Sequence, residues 1–221
     1  MCYRYRMVTT TAAVPTRKKR PDSRRQELLE AATELILTQG VTDLRVEDVT
    51  NAAGAAKGTF YRYFASKDHL IAALRDSYIE DYLAQLDRRV AGVQGWEPKV
   101  EAIIAATVDF YVANLQLHDV LFMLSDHGPI EVDEGPGASD VSVVGWLVEF
   151  ISDGVAAGAF QVRDPWFAAS LLYSALHGVL DREIQVNGTI DRTSTVAATT
   201  EVFLRVLAAA PGGGRRLRLR R

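Results

Sequence analysis

Apolar residues recur at three- and four-residue intervals along most of the chain. No stretch alternates with the period of two, bounded by hairpin turns, that marks a strand. Leu28, Leu29, Ala32, Leu35 and Ile36 define one face of a helix over about 24–39, with Asp22 or Ser23 as its cap and Gly40 as its stop. A short helix over about 46–52 ends at Gly54, and another covers about 56–63. Ser66 is placed to cap a long helix over 67–90, with Asp68 in its first turn. Along it, Leu70, Leu74, Tyr78, Tyr82 and Leu86 form an i, i+4 ladder flanked by Ile71, Ile79, Leu83 and Val90. Such a helix is about 35 Å long, enough to join two subdomains. Further helices are predicted at about 98–115, 119–126, 139–157, 165–186 and 193–209, the fourth of these started by Asp164–Pro165. The Gly-, Pro- and acid-rich 127–137 reads as a loop, and PGGG at 211–214 ends the last helix. The expected fold class is all-α.

This pattern divides the chain into a basic flexible arm (1–22), a three-helix unit (23–70), a larger helical domain (71–210) and a basic tail (211–221). Charge sharpens the division. The net charge of −3 hides thirteen Lys and Arg against eight Asp and Glu in residues 1–75, and seven against twenty in residues 76–214. The final RRLRLRR adds five arginines. A basic first third joined to an acidic remainder predicts that the first part meets a polyanion. With the single cysteine Cys2 there is no intramolecular disulfide and no cysteine-rich zinc site. The first twenty residues hold no signal-peptide core, and no apolar run is long enough for a membrane span. A cytoplasmic protein that does not enter the membrane is the expectation.

Two short helices around Gly54 form the helix-turn-helix arrangement, in which the second short helix enters the DNA major groove. In AGAAKGTFYRYFASKDHL (53–70), Phe60 and Phe64 share one face and can anchor that helix on the first helix and on Val46 and Val49. Lys57, Gly58, Thr59, Tyr61, Arg62 and Tyr63 lie off that face, with Lys67 at the start of the next helix. Lysine ammonium and tyrosine hydroxyl groups suit phosphate oxygens, and Gly58 permits a close backbone approach. Arg45, at the start of the second helix, can reach phosphate. Arg24 and Arg25 are the best-anchored members of a basic arm that can enter the neighbouring minor groove, the alternative being a disordered arm without specific contact.

Residues 44–74, LRVEDVTNAAGAAKGTFYRYFASKDHLIAAL, resemble the helix-turn-helix signature of the TetR (tetracycline-repressor-like) family. The matching positions are Val49, Ala53, Gly54, Gly58, Phe60, Tyr61, Tyr63, Phe64, Lys67 and Leu70. The resemblance implies an N-terminal helix-turn-helix domain linked by a long helix to a helical ligand-binding and dimerisation domain. It also implies DNA contacts by Tyr61, Tyr63 and Lys67. Three departures stand out. Ala55–Ala56 replaces the usual Val-Ser, Arg45 replaces the usual Ser or Thr, and Thr50 replaces the usual Ala. Both short helices are therefore expected to lack side-chain caps.

In the second domain, aromatic residues and polar tips mix at helical spacing. Phe110, Asn114, Phe122, Met123, Trp146, Phe150, Tyr173 and His177 are the candidates for lining a site for a small, largely apolar effector. The alternative for each is plain core packing, and His177 also fits a satisfied histidine at a helix crossing. The last two helices carry apolar stripes: Ala168, Leu171, Leu172, Ala175, Leu176, Val179 and Leu180, then Val196, Ala197, Thr200, Phe203, Leu204 and Leu207. The resemblance implies that they build a homodimer, which suits a palindromic operator. The reading is a ligand-responsive transcriptional regulator, most simply a repressor released by its effector. A non-specific DNA-binding protein and a helical enzyme are the alternatives. Against an enzyme, the four histidines form no HExxH or other metal-ligand spacing, and GAAKGT (54–59) lacks the residue order of a phosphate loop. No catalytic residue, metal or cofactor is called for.

Overall fold

The computed structural model describes residues 21–123 and 143–208. The arm up to residue 20, the loop 127–137 and the tail 211–221 lie outside the described residues, as does the Met123 side chain. The described residues form helices α1 (Pro21–Gln39), α2 (Val46–Ala52), α3 (Lys57–Tyr63), α4 (Lys67–Val90), α5 (Trp96–Ala113) and α6 (Leu115–His118), then a π-helical turn at Asp119–Met123. They continue as α7 (Val143–Ala156), α8 (Pro165–Asn187) and α9 (Arg192–Ala208). No strand occurs among them.

Most boundaries follow from local chemistry. Ser66 caps α4 by accepting the His69 N–H, and Asp164 caps α8 by accepting the Phe167 N–H. Two expectations need correction. α1 begins at Pro21 rather than at residue 24, because proline has no N–H to lose and is tolerated in the first turn of a helix. The helix expected over 119–126 is displaced: α6 spans Leu115–His118, and residues 119–123 wind as a π turn. Asn114 closes α5, and between α5 and the Leu115–Phe122 segment the chain bends by 79°.

Two cores result, with α4 running through both. The first joins Leu28, Leu29 and Ile36 of α1 to Val49, Phe60, Phe64, Leu70 and Leu74. It also takes Leu121 from the π turn, which is 1% exposed. The second, larger core packs α5 against α9 and α7 against α8, around Ile104, Ile151, Leu172, Leu180 and Leu207. The C-terminal half of α4 leans on it through Tyr82 and Leu86. The far end of α4 is fixed ionically: Asp109 on α5 accepts from Arg89 of α4 (3.2 Å) and from Arg192 at the start of α9 (2.5 Å). No single described helix is long and apolar enough to cross a membrane.

Candidate DNA-reading surface and effector cavity

Gly54 sits at φ +58°, the left-handed conformation that lets α2 turn into α3 within four residues. Both short helices start from extended residues, Arg45 and Ala56, and neither has a side-chain cap. Thr50 is buried, with its hydroxyl returned to the Glu47 carbonyl (3.0 Å), so the hydroxyl is satisfied where the family usually carries alanine. α3 splits by face. Phe60 is fully buried, with Tyr61 edge-on at 5.3 Å and Phe64 at 5.5 Å, whereas Tyr61 itself is 51% exposed. Arg45, Lys57, Gly58 and Arg62 are exposed, and Thr59 is half-buried.

Other sequence-predicted contacts are engaged within the protein. Tyr63 is half-buried against the first core, with the Arg62 guanidinium 5.3 Å from its ring centre. The Lys67 ammonium donates to the carbonyls of Val41 (3.0 Å) and Thr42 (3.3 Å), closing the turn between α1 and α2. Arg24 pairs with Glu27 at 2.7 Å, and Arg25 lies over the Phe64 ring at 5.7 Å. Lys57 pairs with Glu47 at 2.5 Å. This contact holds the carboxyl below and the ammonium above their ordinary pKa values. Spacing alone does not reveal the pair, which spans ten residues across the glycine turn.

A narrow cavity of about 40 Å³ lies inside the second domain, between α4, α5, α7, α8 and α9. Its wall includes Tyr82, Ile103, Thr107, Phe150, Tyr173 and His177. Tyr82 and Thr107 share a hydroxyl–hydroxyl bond of 2.7 Å, and the Thr107 hydroxyl donates on to the Ile103 carbonyl. His177 Nδ1 donates to the Tyr173 carbonyl (3.0 Å), and burial pushes the ring's pKa below its ordinary value.

Of the sequence-predicted lining residues, Phe150, Tyr173 and His177 stand on this wall. Phe110 lies behind it, between Tyr78 (5.0 Å) and Tyr82 (5.1 Å), and Phe122 meets Tyr78 edge-on at 5.4 Å. The Trp146 ring lies parallel to Phe150 at 5.9 Å while its N–H donates to Asp87. The Asn114 amide turns back to the Phe110 carbonyl. Tyr82 and Thr107 escaped the sequence reading because they sit on ladders that look like ordinary core.

The family model of bacterial regulatory proteins of the tetR family matches residues 28–74, the segment that builds α1's inner face, the turn and α3. The N-terminal unit is thus of the tetR-family type. Among its relatives, the HTH-type transcriptional regulator YvdT of Bacillus subtilis is 32% identical over 89 residues, 40% of this chain and 46% of that protein. The regulator YhgD of the same organism is 23% identical over 184 residues, 82% of this chain and 94% of that one. The chain thus spans about half of the first relative and nearly all of the second. In fold it is similar to the FadR regulator of Bacillus subtilis in complex with stearoyl-CoA. There the TM-score is 0.67 at 16% identity, over 82% of this chain and 98% of that one.

Three further features bear on how the two cores work together. First, the second domain is keyed into the helix-turn-helix unit. Beside the buried Leu121, Arg75 of α4 donates to the Leu121 carbonyl (2.8 Å), and Gln116 donates to the Leu37 carbonyl at the end of α1 (2.9 Å). Second, a cleft of about 280 Å³ separates α1 from α4 and α6, lined by Leu29, Glu30, Glu34, Leu74, Asp81 and Leu117. Third, α8 carries an outward stripe of Phe167, Leu171, Val179 and Val186, and α9 adds Val202, all more than 40% exposed. Ala168, Leu172, Leu176 and Leu180, with Val196, Phe203 and Leu207, face the core instead.

Proposed function

We propose that this protein is a homodimeric transcriptional repressor that binds a palindromic operator and leaves it when a small, largely apolar effector enters the second domain. The reading face is Lys57, Gly58, Thr59, Tyr61 and Arg62 on α3, with Arg45 at the start of α2. Phe60 and Phe64 fix its orientation. Tyr63 and Lys67 contribute at the edge, where Lys67 has carbonyl bonds to exchange for phosphate. The outward stripe of α8 with Val202 of α9 is the dimer face, since an unpartnered apolar stripe of this length calls for a cover. A DNA partner supports a cytoplasmic location.

The observation that carries the switching half is the position of Leu121. It belongs to the segment after α5, yet it lies buried in the core that holds α3. One residue on, Phe122 meets Tyr78 edge-on and packs against His118, whose ring lies 6.2 Å from the cavity-wall residue His177. A cavity of about 40 Å³ admits no ligand of ordinary size, because such sites span roughly 300–1,000 Å³. Binding must therefore push the walls apart. The segment between cavity and reading head is positioned to carry that displacement, and the cleft between α1 and α4 gives the reading unit room to tilt. In the similarly folded FadR the ligand is stearoyl-CoA, so a long acyl chain is one fitting effector class.

A duplex selected from random sequence by the protein itself tests the DNA half. Lys57→Ala and Tyr61→Ala should each weaken binding about tenfold or more, on the scale of 1–3 kcal/mol per good contact. Equal weakening of a scrambled duplex would favour non-specific binding.

A further inference from the structure

Behind His177, which stands on the cavity wall, lies an imidazole that the fold leaves unused. His118 is 6% exposed, and its Nδ1 has no hydrogen-bond partner. The nearest carboxylate oxygen, on Asp119, is 3.6 Å away, outside hydrogen-bond reach. Tyr111, Tyr78 and Phe122 surround the ring at 5.0, 6.1 and 5.4 Å, and the His177 ring lies 6.2 Å from it. A buried polar atom without a partner destabilises a fold, and one that persists calls for an explanation. His177, the next ring outward, stands on the cavity wall. Its Nδ1 proton is given to the Tyr173 carbonyl, which makes Nε2 an acceptor in the neutral ring. The other polar groups nearby are satisfied: Tyr82 with Thr107, and Tyr111 donating to Asp181 at 2.6 Å.

Resting on the reading of the cavity as the effector site, we propose that the effector is an apolar molecule with a carboxylic acid head seated on the His118–His177 pair. The acid enters neutral and hands its proton to one imidazole. The carboxylate and imidazolium then form together, so no lone charge is buried. Burial disfavours the His177 imidazolium, and Asp181 beside it works the other way; Asp119, 42% exposed on its side chain, stands next to His118. An amine head is the competing chemistry, because the same two carboxylates attract it. Asp181 already accepts the Tyr111 hydroxyl and Asp119 faces solvent, which leaves His118 as the unpartnered group that is more than nine-tenths buried. Since His118 also packs against Phe122, the head would sit beside the segment that carries Leu121 into the reading unit.

Trp96 and Trp146 both pack against the cavity residue Phe150, at 5.5 and 5.9 Å, so tryptophan fluorescence reports occupancy of the full-length protein. The probes are decanoic acid, decanamide and decylamine, with 3-phenylpropanoic acid, its amide and its amine as a second tail. For at least one tail, the acid should bind ten times more tightly than the amide and amine. His118→Gln, checked for folding by circular dichroism, should bring acid and amide within threefold of each other. The histidine Cε1–H resonances should move toward imidazolium positions with the acid alone. Equal or tighter binding of the amide or amine, or an acid preference unchanged in both His118→Gln and His177→Gln, overturns the proposal while leaving the cavity reading intact. If none of the six binds, the cavity reading itself fails.

Discussion

Phe60 and Tyr61 are adjacent in sequence and opposite in fate, the first fully buried and the second half exposed. A helix turns 100° per residue, so neighbours cannot share a face, and the aromatic run divides into a buried anchor and an exposed side. That division is legible in the spacing alone. What α3 lacks is also legible, since Ala56 stands in cap position with φ −75° and ψ 149° and no hydroxyl to offer. Ala56→Ser should stabilise the protein by about 1 kcal/mol, and Ser66→Ala, which removes an existing cap, should destabilise it by a similar amount. Chemical denaturation midpoints check both. Tyr63 and Lys67 were less legible. Their types suit phosphate, but the core edge and the Val41 and Thr42 carbonyls that hold them come from residues distant in sequence. Sequence spacing says which side chains share a helix face and nothing about what stands opposite that face.

At the scale of elements, the long helix and both short ones were legible because each carries its own punctuation: Ser66, Gly54 and the apolar ladder of α4. The π turn was not, because its shape answers to Leu121 entering the first core and Phe122 meeting Tyr78 edge-on, both tertiary contacts. Two element-scale predictions follow from contacts of this kind. A Cβ built on Gly154 of α7 would lie 2.1 Å from the Phe160 ring, itself wedged between Trp96 and Phe150. Gly154→Ala should therefore destabilise by about 1–3 kcal/mol, measured by thermal or urea unfolding, and should perturb the cavity wall. The clamp of Asp109 on Arg192 and Arg89 holds the Asp109 carboxyl below its ordinary range. A depressed carboxyl pKa contributes stability above the unfolded value, near pH 4, and loses it as pH falls through the folded value. Asp109→Asn should lower the melting temperature at pH 7 and leave a smaller further drop between pH 5 and pH 3 than the parent shows.

At the scale of the whole molecule, the charge asymmetry and the two apolar stripes of α8 and α9 pointed to a DNA partner and a second copy of the chain. The stripes did not show which of their residues serve the internal core. Depth decides that: Leu172 and Leu176 face inward, while Leu171 and Val179 face outward from the same helix. Leu171→Arg with Val179→Arg should give a folded monomer by light scattering and abolish tight operator binding, whereas Leu172→Arg should unfold the chain. The central claim is that the cavity and the reading surface are coupled, and anisotropy of a labelled, protein-selected duplex measures that coupling directly. A ligand shown by tryptophan fluorescence to saturate the cavity should raise the operator Kd at least tenfold, a coupling of about 1.4 kcal/mol or more. An operator Kd that stays the same with the cavity saturated would contradict the account.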